Sequence, residues 1–324
     1  MVFSKSDAIV HMNHLGKLGC PFFFMVDFEM EAIRILELTC QLADISFQSP
    51  SFQWGRSDHV ISKTLDFNST PISMEDYNTL FKKVMTEINR GNSFLVNLTV
   101  PTPIACNFSL FELFIHAKAK YKLWVKDEFV MFSPETFVTI QDGVISSYPM
   151  KGTIRDSSPD SAQTILNNPK EIAEHHTIVD LIRNDLSMVA SNVEVTKFRY
   201  IDTIQTHNGR LLQVSSEIMG SLPTNYPEHI GDILFTLLPA GSISGAPKAK
   251  TLEIIRNVEK QKRGYYTGIC GIFDGKNMDS AVMIRFIESK NNGFQFRSGG
   301  GITFQSEAIH EYNELIDKVY VPIA

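Results

Sequence analysis

One lysine of this chain has neighbours that would suit a reactive amine. Lys151 follows the mainly apolar run at residues 144–148 and directly precedes Gly152. A strand ending here would hold the amine rigidly, and the glycine would leave room for a ligand to approach closely. A lysine removed from water loses the hydration that favours its charged form, and the neutral amine is a nucleophile. An ion pair with a nearby carboxylate is the simpler alternative, and this segment alone leaves both interpretations open.

Two predicted helices carry glutamates three residues apart, a spacing that places both side chains on one helix face. The pairs are Glu171 with Glu174, and Glu311 with Glu314, which shares its face with Lys318. Two converging pairs would form an oxygen-rich site for Mg²⁺, which takes one or two carboxylates directly and keeps several waters. Each pair also has an ordinary explanation, as a favourable charge near a helix N-terminus or as an exposed ion pair. The magnesium hypothesis therefore requires both pairs.

Three further features would suit a small anionic substrate. The loop at residues 238–248 is rich in small residues and opens a helix, where free N–H groups can hold an anion. Gly299, Gly300 and Gly301 offer a second stretch of approachable backbone. Arg285 interrupts the apolar run 281–287, and it would form either a buried salt bridge or a bidentate clamp on a carboxylate.

Hydrophobic periodicity and helix-capping signals predict the elements that must position these side chains. The predicted helices cover 73–91, a segment near 109–119, 168–186, a segment after Pro247, and 306–319. Residues 1–70 and 265–301 are predicted to be rich in strands, and 22–26 is the clearest buried strand. Because strands and helices do not alternate regularly, we expect an α+β protein with mainly antiparallel sheets.

Composition excludes several classes of protein. The 324 residues are 43% hydrophobic and 20% charged, which is typical of a soluble globular chain. A net charge of −6 without a basic run argues against nucleic acid as a partner. The chain shows no signal-peptide pattern and no apolar run long enough to span a membrane. The cysteines Cys20, Cys40, Cys106 and Cys270 are widely spaced, which favours free thiols in the cytoplasm.

Five sequence blocks resemble the chorismate-utilising enzymes, the family of anthranilate, aminodeoxychorismate, isochorismate and salicylate synthases. The blocks are residues 133–135, 149–155, 171–185, 239–255 with the following RGYYTGICG, and SGGGITFQSEAIHEYNEL. The resemblance implies one large domain over 1–324, with a shortened N-terminal part at about 1–70. In that fold, two face-packed antiparallel sheets are flanked by helices, and the active site lies between the sheets.

The resemblance also implies a role for each matching residue. Lys151 and Glu135 correspond to catalytic positions, as nucleophile and general acid. Glu174 and Glu314 match direct Mg²⁺ ligands, and Glu171 and Glu311 match residues that hold the metal through water. The positions implied to contact chorismate are Thr153, Ser242, Tyr266, Arg285, Gly299, Gly300, Gly301 and Lys318.

Lysine at position 151 resembles the aminodeoxychorismate synthase branch, in which this lysine attacks C2 of chorismate. Leu95 stands where water-adding relatives have a basic lysine, which argues against direct hydration. Leu212 stands near the place of a histidine that, in relatives, lies close to the departing pyruvate. The implied activity is component I of aminodeoxychorismate synthase, on the route to 4-aminobenzoate and folate, with ammonia supplied by a glutamine amidotransferase subunit. The alternatives are an anthranilate synthase large subunit and a non-catalytic chorismate-binding subunit.

Overall fold

The computed structural model describes residues 2–38, 43–56, 63–156, 158–206, 209–291 and 293–323. The helices in these ranges are α1 Lys5–Lys17, α2 Met74–Asn89, α3 Leu110–His116, α4 Ser161–Asn167, α5 Pro169–Leu186, α6 Ile230–Leu237, α7 Gly241–Ser244, α8 Lys248–Glu259 and α9 Ala308–Asp317. A 3₁₀ turn covers Tyr226–His229.

The strands form two nine-stranded sheets in which the recorded pairings are antiparallel. The first sheet has the order β11-β13-β10-β9-β16-β15-β1-β2, with β12 paired to β13. Its strands are β1 Phe22–Val26, β2 Ile33–Glu37, β9 Thr136–Gln141, β10 Val144–Ser147, β11 Met150–Arg155, β12 Ser191–Thr206, β13 Gly209–Ser221, β15 Ile269–Phe273 and β16 Met278–Val282.

The second sheet has the order β14-β6-β18-β17-β8-β7-β3-β4, with β5 paired to β6. Its strands are β3 Ile45–Gln48, β4 Gln53–Trp54, β5 Phe67–Ser69, β6 Leu95–Cys106, β7 Tyr121–Val125, β8 Phe129–Ser133, β14 Gly245–Ala246, β17 Phe286–Lys290 and β18 Gly293–Ile302. The predicted class, two antiparallel sheets flanked by helices, is confirmed.

Strand β1 shows why the sheets pack face to face. Side chains alternate between the two faces of the strand, and every residue of β1 is buried. Both faces of this strand are therefore covered. Phe22, Phe24 and Val26 join the larger core, which includes residues of α1, α2, α5 and α6. Phe23 and Met25 instead join a core that contains side chains from both sheets. An uninterrupted apolar run thus marks a strand buried on both sides.

The long helices lie close to their predicted positions. Ser73 accepts a hydrogen bond from the backbone N–H of Asp76, which satisfies one of the free donors at the start of α2. Helix α5 begins at Pro169, where a missing N–H has no cost, and runs to Leu186. Helix α1 was not predicted in the strand-rich entry segment. It carries only a weak apolar face and is held by packing against α6.

The apolar run 281–287 was expected to lie in one strand, but the structure divides it between two strands. Strand β16 ends at Val282 in the first sheet, and β17 starts at Phe286 in the second. Between them Arg285 takes a left-handed backbone conformation with φ of 52°. The chain crosses from one sheet to the other at these residues, so an apolar run that reads as one strand is two.

The described cysteines Cys20, Cys106 and Cys270 are free thiols, and Cys40 lies outside the described residues. Across the described ranges, no helix is both long enough and apolar enough to cross a membrane.

Candidate active site

A cavity of about 180 Å³ lies where strands β11 and β18 meet α9 and the crossover before β17. Most of the residues predicted to act on the substrate line it. These are Glu135, Lys151, Ser242, Tyr266, Arg285, Gly299, Gly300, Gly301, Glu314 and Lys318. Glu174 lines a neighbouring cavity that also includes Lys151. The side chain of Thr153 lies outside the described part of the structure.

A bulge in strand β11 turns Lys151 toward this cavity. Met150 pairs with Ser215, but the next recorded pair is Thr153 with Gln213, so β11 has one residue more than its partner. The extra length falls at Lys151 and Gly152, and Gly152 has a φ of 81°, which glycine adopts without strain. Bulges of this kind re-aim side chains beside active sites. The sequence showed the lysine and the glycine but not the register shift.

Lys151 lies against the glycine run of β18. A β-carbon placed on Gly301 would be 3.1 Å from Nζ of Lys151 and 2.9 Å from Cδ1 of Leu95. Only glycine therefore leaves both side chains where they are. The amine also lies 3.8 Å from Oε2 of Glu174, and the Lys151 side chain is 23% exposed. The predicted ion-pair alternative is thus present, and it occurs inside the cavity rather than on the surface.

Both glutamate pairs converge on the two facing strands. A β-carbon on Gly152 would lie 2.8 Å from Oε2 of Glu171, and one on Gly300 would lie 3.4 Å from Oε2 of Glu311. Because Lys151 lies against Gly301, the acidic residues of α5 and α9 come to neighbouring positions beside these two strands. Glu311 is only 5% exposed.

The donor set of these helices fits Mg²⁺. The described residues contain no cluster of three or more His, Cys, Asp or Glu side chains in metal-holding geometry. Mg²⁺ does not require such a cage, since one or two carboxylates and waters suffice. Glu174 and Glu314 would hold the ion directly, and Glu171 and Glu311 through water. When bound, Mg²⁺ would supply positive charge to a substrate carboxylate.

Part of the cavity wall is cationic. Nε of Arg285 is buried and has no hydrogen-bond partner among the described residues, so this donor is available to a ligand. Nζ of Lys318 lies 2.6 Å from Glu314 and donates to the Gly299 carbonyl at 2.8 Å. Burial lowers the pKa of Lys318 and raises that of Tyr266 to about 12, so the phenol stays neutral. This wall can bind carboxylates.

Glu135 has the environment of a proton donor. Its carboxylate is partly buried and accepts a hydrogen bond from the Ser242 hydroxyl. Burial raises the pKa of Glu135, against the opposing effects of Ser242 and the nearby Lys151 and Arg285. A raised pKa favours the protonated carboxyl, which is the form that can act as a general acid. The 238–248 loop thus contributes Ser242 as a partner of Glu135.

Arg263 was not predicted to be a functional residue, yet it supports part of the cavity wall. It is 1% exposed and donates two hydrogen bonds to Glu259, at 2.9 and 2.6 Å. Its other donors reach the carbonyls of Ile243 at 2.9 Å and Asn97 at 2.6 Å, and both of these residues line the cavity. In the sequence, the only indication of this role was that Arg263 begins the RGYYTGICG block.

Gln213 is a second cavity residue that sequence reasoning missed. Leu212 was assigned to the histidine position of relatives, but it is 5% exposed and its neighbour Gln213 lines the cavity. Successive side chains of a strand point to opposite faces of the sheet. An alignment error of one residue therefore exchanges a position that is turned away from the cavity with one that lines it. The flanking His207 and Asn208 lie outside the described residues. The amide of Gln213 cannot act as a proton-transfer group in place of a histidine.

Comparison with known proteins identifies the family of this chain. The family model described as chorismate binding enzyme matches residues 42–324. An uncharacterized PabA-like protein of Haemophilus influenzae is 54% identical over 97% of this chain and 96% of its own length. Aminodeoxychorismate synthase component 1 of Klebsiella aerogenes is 32% identical over 76% of this chain, and the match spans 57% of that protein.

The fold is also that of a solved relative. The menaquinone-specific isochorismate synthase MenF of Escherichia coli superposes with a TM-score of 0.76, over 98% of this chain and 82% of that one. Its sequence is only 14% identical, so this likeness concerns the fold. The family match covers most of the chain and includes every residue of the cavity. The chain belongs to the family of chorismate-binding enzymes.

Proposed function

We propose that this protein is an aminodeoxychorismate synthase component I, which converts chorismate and ammonia to 4-amino-4-deoxychorismate. The observation that carries this proposal is the Lys151 amine, which lines the same cavity as the partly buried acid Glu135 and the cation Arg285. A nucleophile, an acid and an anion-binding group are what amine substitution on an anionic ring requires. The similarity to aminodeoxychorismate synthase component 1 supports the same assignment.

In the first step, the amine nitrogen of Lys151 attacks C2 of chorismate. The new N–C2 bond forms as the ring double bonds shift and the C4–O bond breaks. Glu135 gives its proton to the departing hydroxyl, which leaves as water. Its raised pKa keeps that proton available. Arg285 and Lys318 hold the substrate carboxylates, which fixes C2 near the amine.

In the second step, ammonia forms a bond to C4 while the C2–N bond to Lys151 breaks. The ring double bonds return, and the added nitrogen gives one proton to the Glu135 carboxylate, which restores the acid for the next turnover. Gln213 supports a product that keeps its enolpyruvyl group, because an amide offers no base for releasing pyruvate. A glutamine amidotransferase subunit would supply the ammonia, as the family resemblance implies.

The decisive experiment is mass analysis of the product from purified protein, chorismate, Mg²⁺ and an ammonium salt. Aminodeoxychorismate retains the enolpyruvyl group, whereas anthranilate has lost pyruvate, so the two products differ in mass. Aminodeoxychorismate is expected. Anthranilate would assign the chain to the rival synthase, and no turnover at all would favour a non-catalytic chorismate-binding subunit.

A further inference from the structure

His175 is a fully buried histidine of helix α5 that the proposed reaction does not use. It directly follows Glu174 in the sequence. Its Nε2 atom lies 2.7 Å from the hydroxyl oxygen of Ser216 on strand β13. Its Nδ1 atom is buried and has no hydrogen-bond partner among the described residues. Because an unpaired polar atom costs free energy when it is buried, stabilisation of the core alone does not explain a histidine at this position.

Ser216 connects this histidine to the strand that carries Lys151. The Ser216 hydroxyl also accepts a hydrogen bond from the backbone N–H of Arg199 at 2.9 Å, which fixes the position of its oxygen. The backbone N–H of Ser216 donates to the carbonyl of Pro149 at 3.0 Å. Pro149 lies two residues before Lys151, next to the bulge that turns the lysine toward the active-site cavity.

These contacts form a closed ring with the ion pair of the site. On one side of the ring, Glu174 and His175 are successive residues of one helix. On the other side, Ser216 holds the backbone close to Lys151. The ring closes where Nζ of Lys151 lies 3.8 Å from Oε2 of Glu174. The hydrogen bond between His175 and Ser216 therefore restrains the distance between the helix of the glutamates and the strand of the amine.

We propose that His175 is a positioning residue, which holds Glu174 and Lys151 at the separation that metal binding and attack on C2 require. It acts through these two residues, because it lines neither of the two cavities that Lys151 borders. The inference rests on the proposed function, in which Glu174 binds Mg²⁺ and Lys151 is the nucleophile. Residues that orient metal ligands contribute about 10- to 100-fold to metal affinity or activity.

The His175→Leu variant tests this role. Leucine has a similar volume and suits a helix, but it makes no hydrogen bond to Ser216. We expect Mg²⁺ affinity in calorimetry to fall about tenfold, and adduct formation at saturating chorismate and Mg²⁺ without ammonia to slow about tenfold. The midpoint of urea unfolding should change little, because the substitution removes the unpaired nitrogen together with the hydrogen bond. A purely structural role would instead lower the midpoint and leave Mg²⁺ affinity and the adduct rate unchanged.

His176→Leu is the matched control. His176 is the next residue of the same helix but is exposed, and it lines neither of the two cavities, so its variant should behave as wild type. His175→Gln is the conservative replacement, since its amide can bond the Ser216 hydroxyl, and it should recover most of the Mg²⁺ affinity and adduct rate. Ser216→Ala removes the same hydrogen bond from the strand and takes the place of His175→Leu if that variant does not fold.

The outcomes separate this inference from the proposed function. If the wild type makes aminodeoxychorismate but His175→Leu keeps either its Mg²⁺ affinity or its adduct rate, the positioning role is wrong and the function stands. A glutamine variant as defective as the leucine variant would also overturn the inference. If the wild type makes another product, the proposed function fails, and the Mg²⁺ affinities, which do not depend on the reaction, still decide the positioning role.

Discussion

Gly301→Ala should displace the Lys151 amine while leaving the rest of the site in place. The new methyl group would lie 3.1 Å from Nζ of Lys151 and 2.9 Å from Cδ1 of Leu95, both inside normal contact distances. Gly301 has an ordinary φ, so the backbone itself is not strained by alanine. The effect is therefore a local steric one on two side chains.

The two consequences of Gly301→Ala should differ in size. Both clashing atoms end flexible side chains and can retreat by a few tenths of an ångström, so we expect a loss of about 1 kcal/mol in the free energy of unfolding. Attack on C2 depends more steeply on position, because a misplacement of about 1 Å can cost roughly 100-fold in rate. We therefore expect adduct formation to slow by about 10- to 100-fold.

The assay is intact-protein mass spectrometry after mixing with chorismate and Mg²⁺ without ammonia, with urea unfolding measured in parallel. Adduct formation at the wild-type rate in Gly301→Ala would refute the claim that Lys151 acts from this position.

Three further predictions concern the ionisable groups of the site. Lys151→Ala should abolish the covalent adduct, and Lys151→Arg should not restore it because a guanidinium stays protonated; an adduct in either variant would exclude this nucleophile. Glu135→Gln should abolish turnover. Because the folded-state pKa of Glu135 is raised, the wild type loses stability as pH rises from the unfolded-state pKa to the folded-state pKa. A glutamine side chain does not ionise, so the variant does not lose this stability. The stability of the variant relative to the wild type in urea unfolding should therefore grow as pH rises between these two pKa values, and a pH-independent difference would contradict this prediction. Glu174→Gln and Glu314→Gln should each weaken Mg²⁺ binding in calorimetry, and wild-type affinity in both would remove them as ligands.

Several features of this protein follow from the sequence alone. The run at 22–26 predicts a strand buried on both faces, because five successive apolar residues suit no half-exposed strand. Ser73 and Pro169 mark the starts of α2 and α5 through capping chemistry that depends only on neighbouring residues. The glutamate pairs share a face of their helices because helical periodicity is local.

Only the tertiary structure decides how these elements meet. The convergence of α5 and α9 at the facing strands β11 and β18 depends on the order of strands in two sheets, which joins residues far apart in the sequence. The bulge at Lys151 is a mismatch between two strands, so neither strand reveals it alone. For the same reason Gln213, and not Leu212, faces the cavity, and Arg285 lies at a crossover rather than within a strand. Local patterns depend on the residues of one segment, whereas the site depends on how segments that are far apart in the sequence pair with one another.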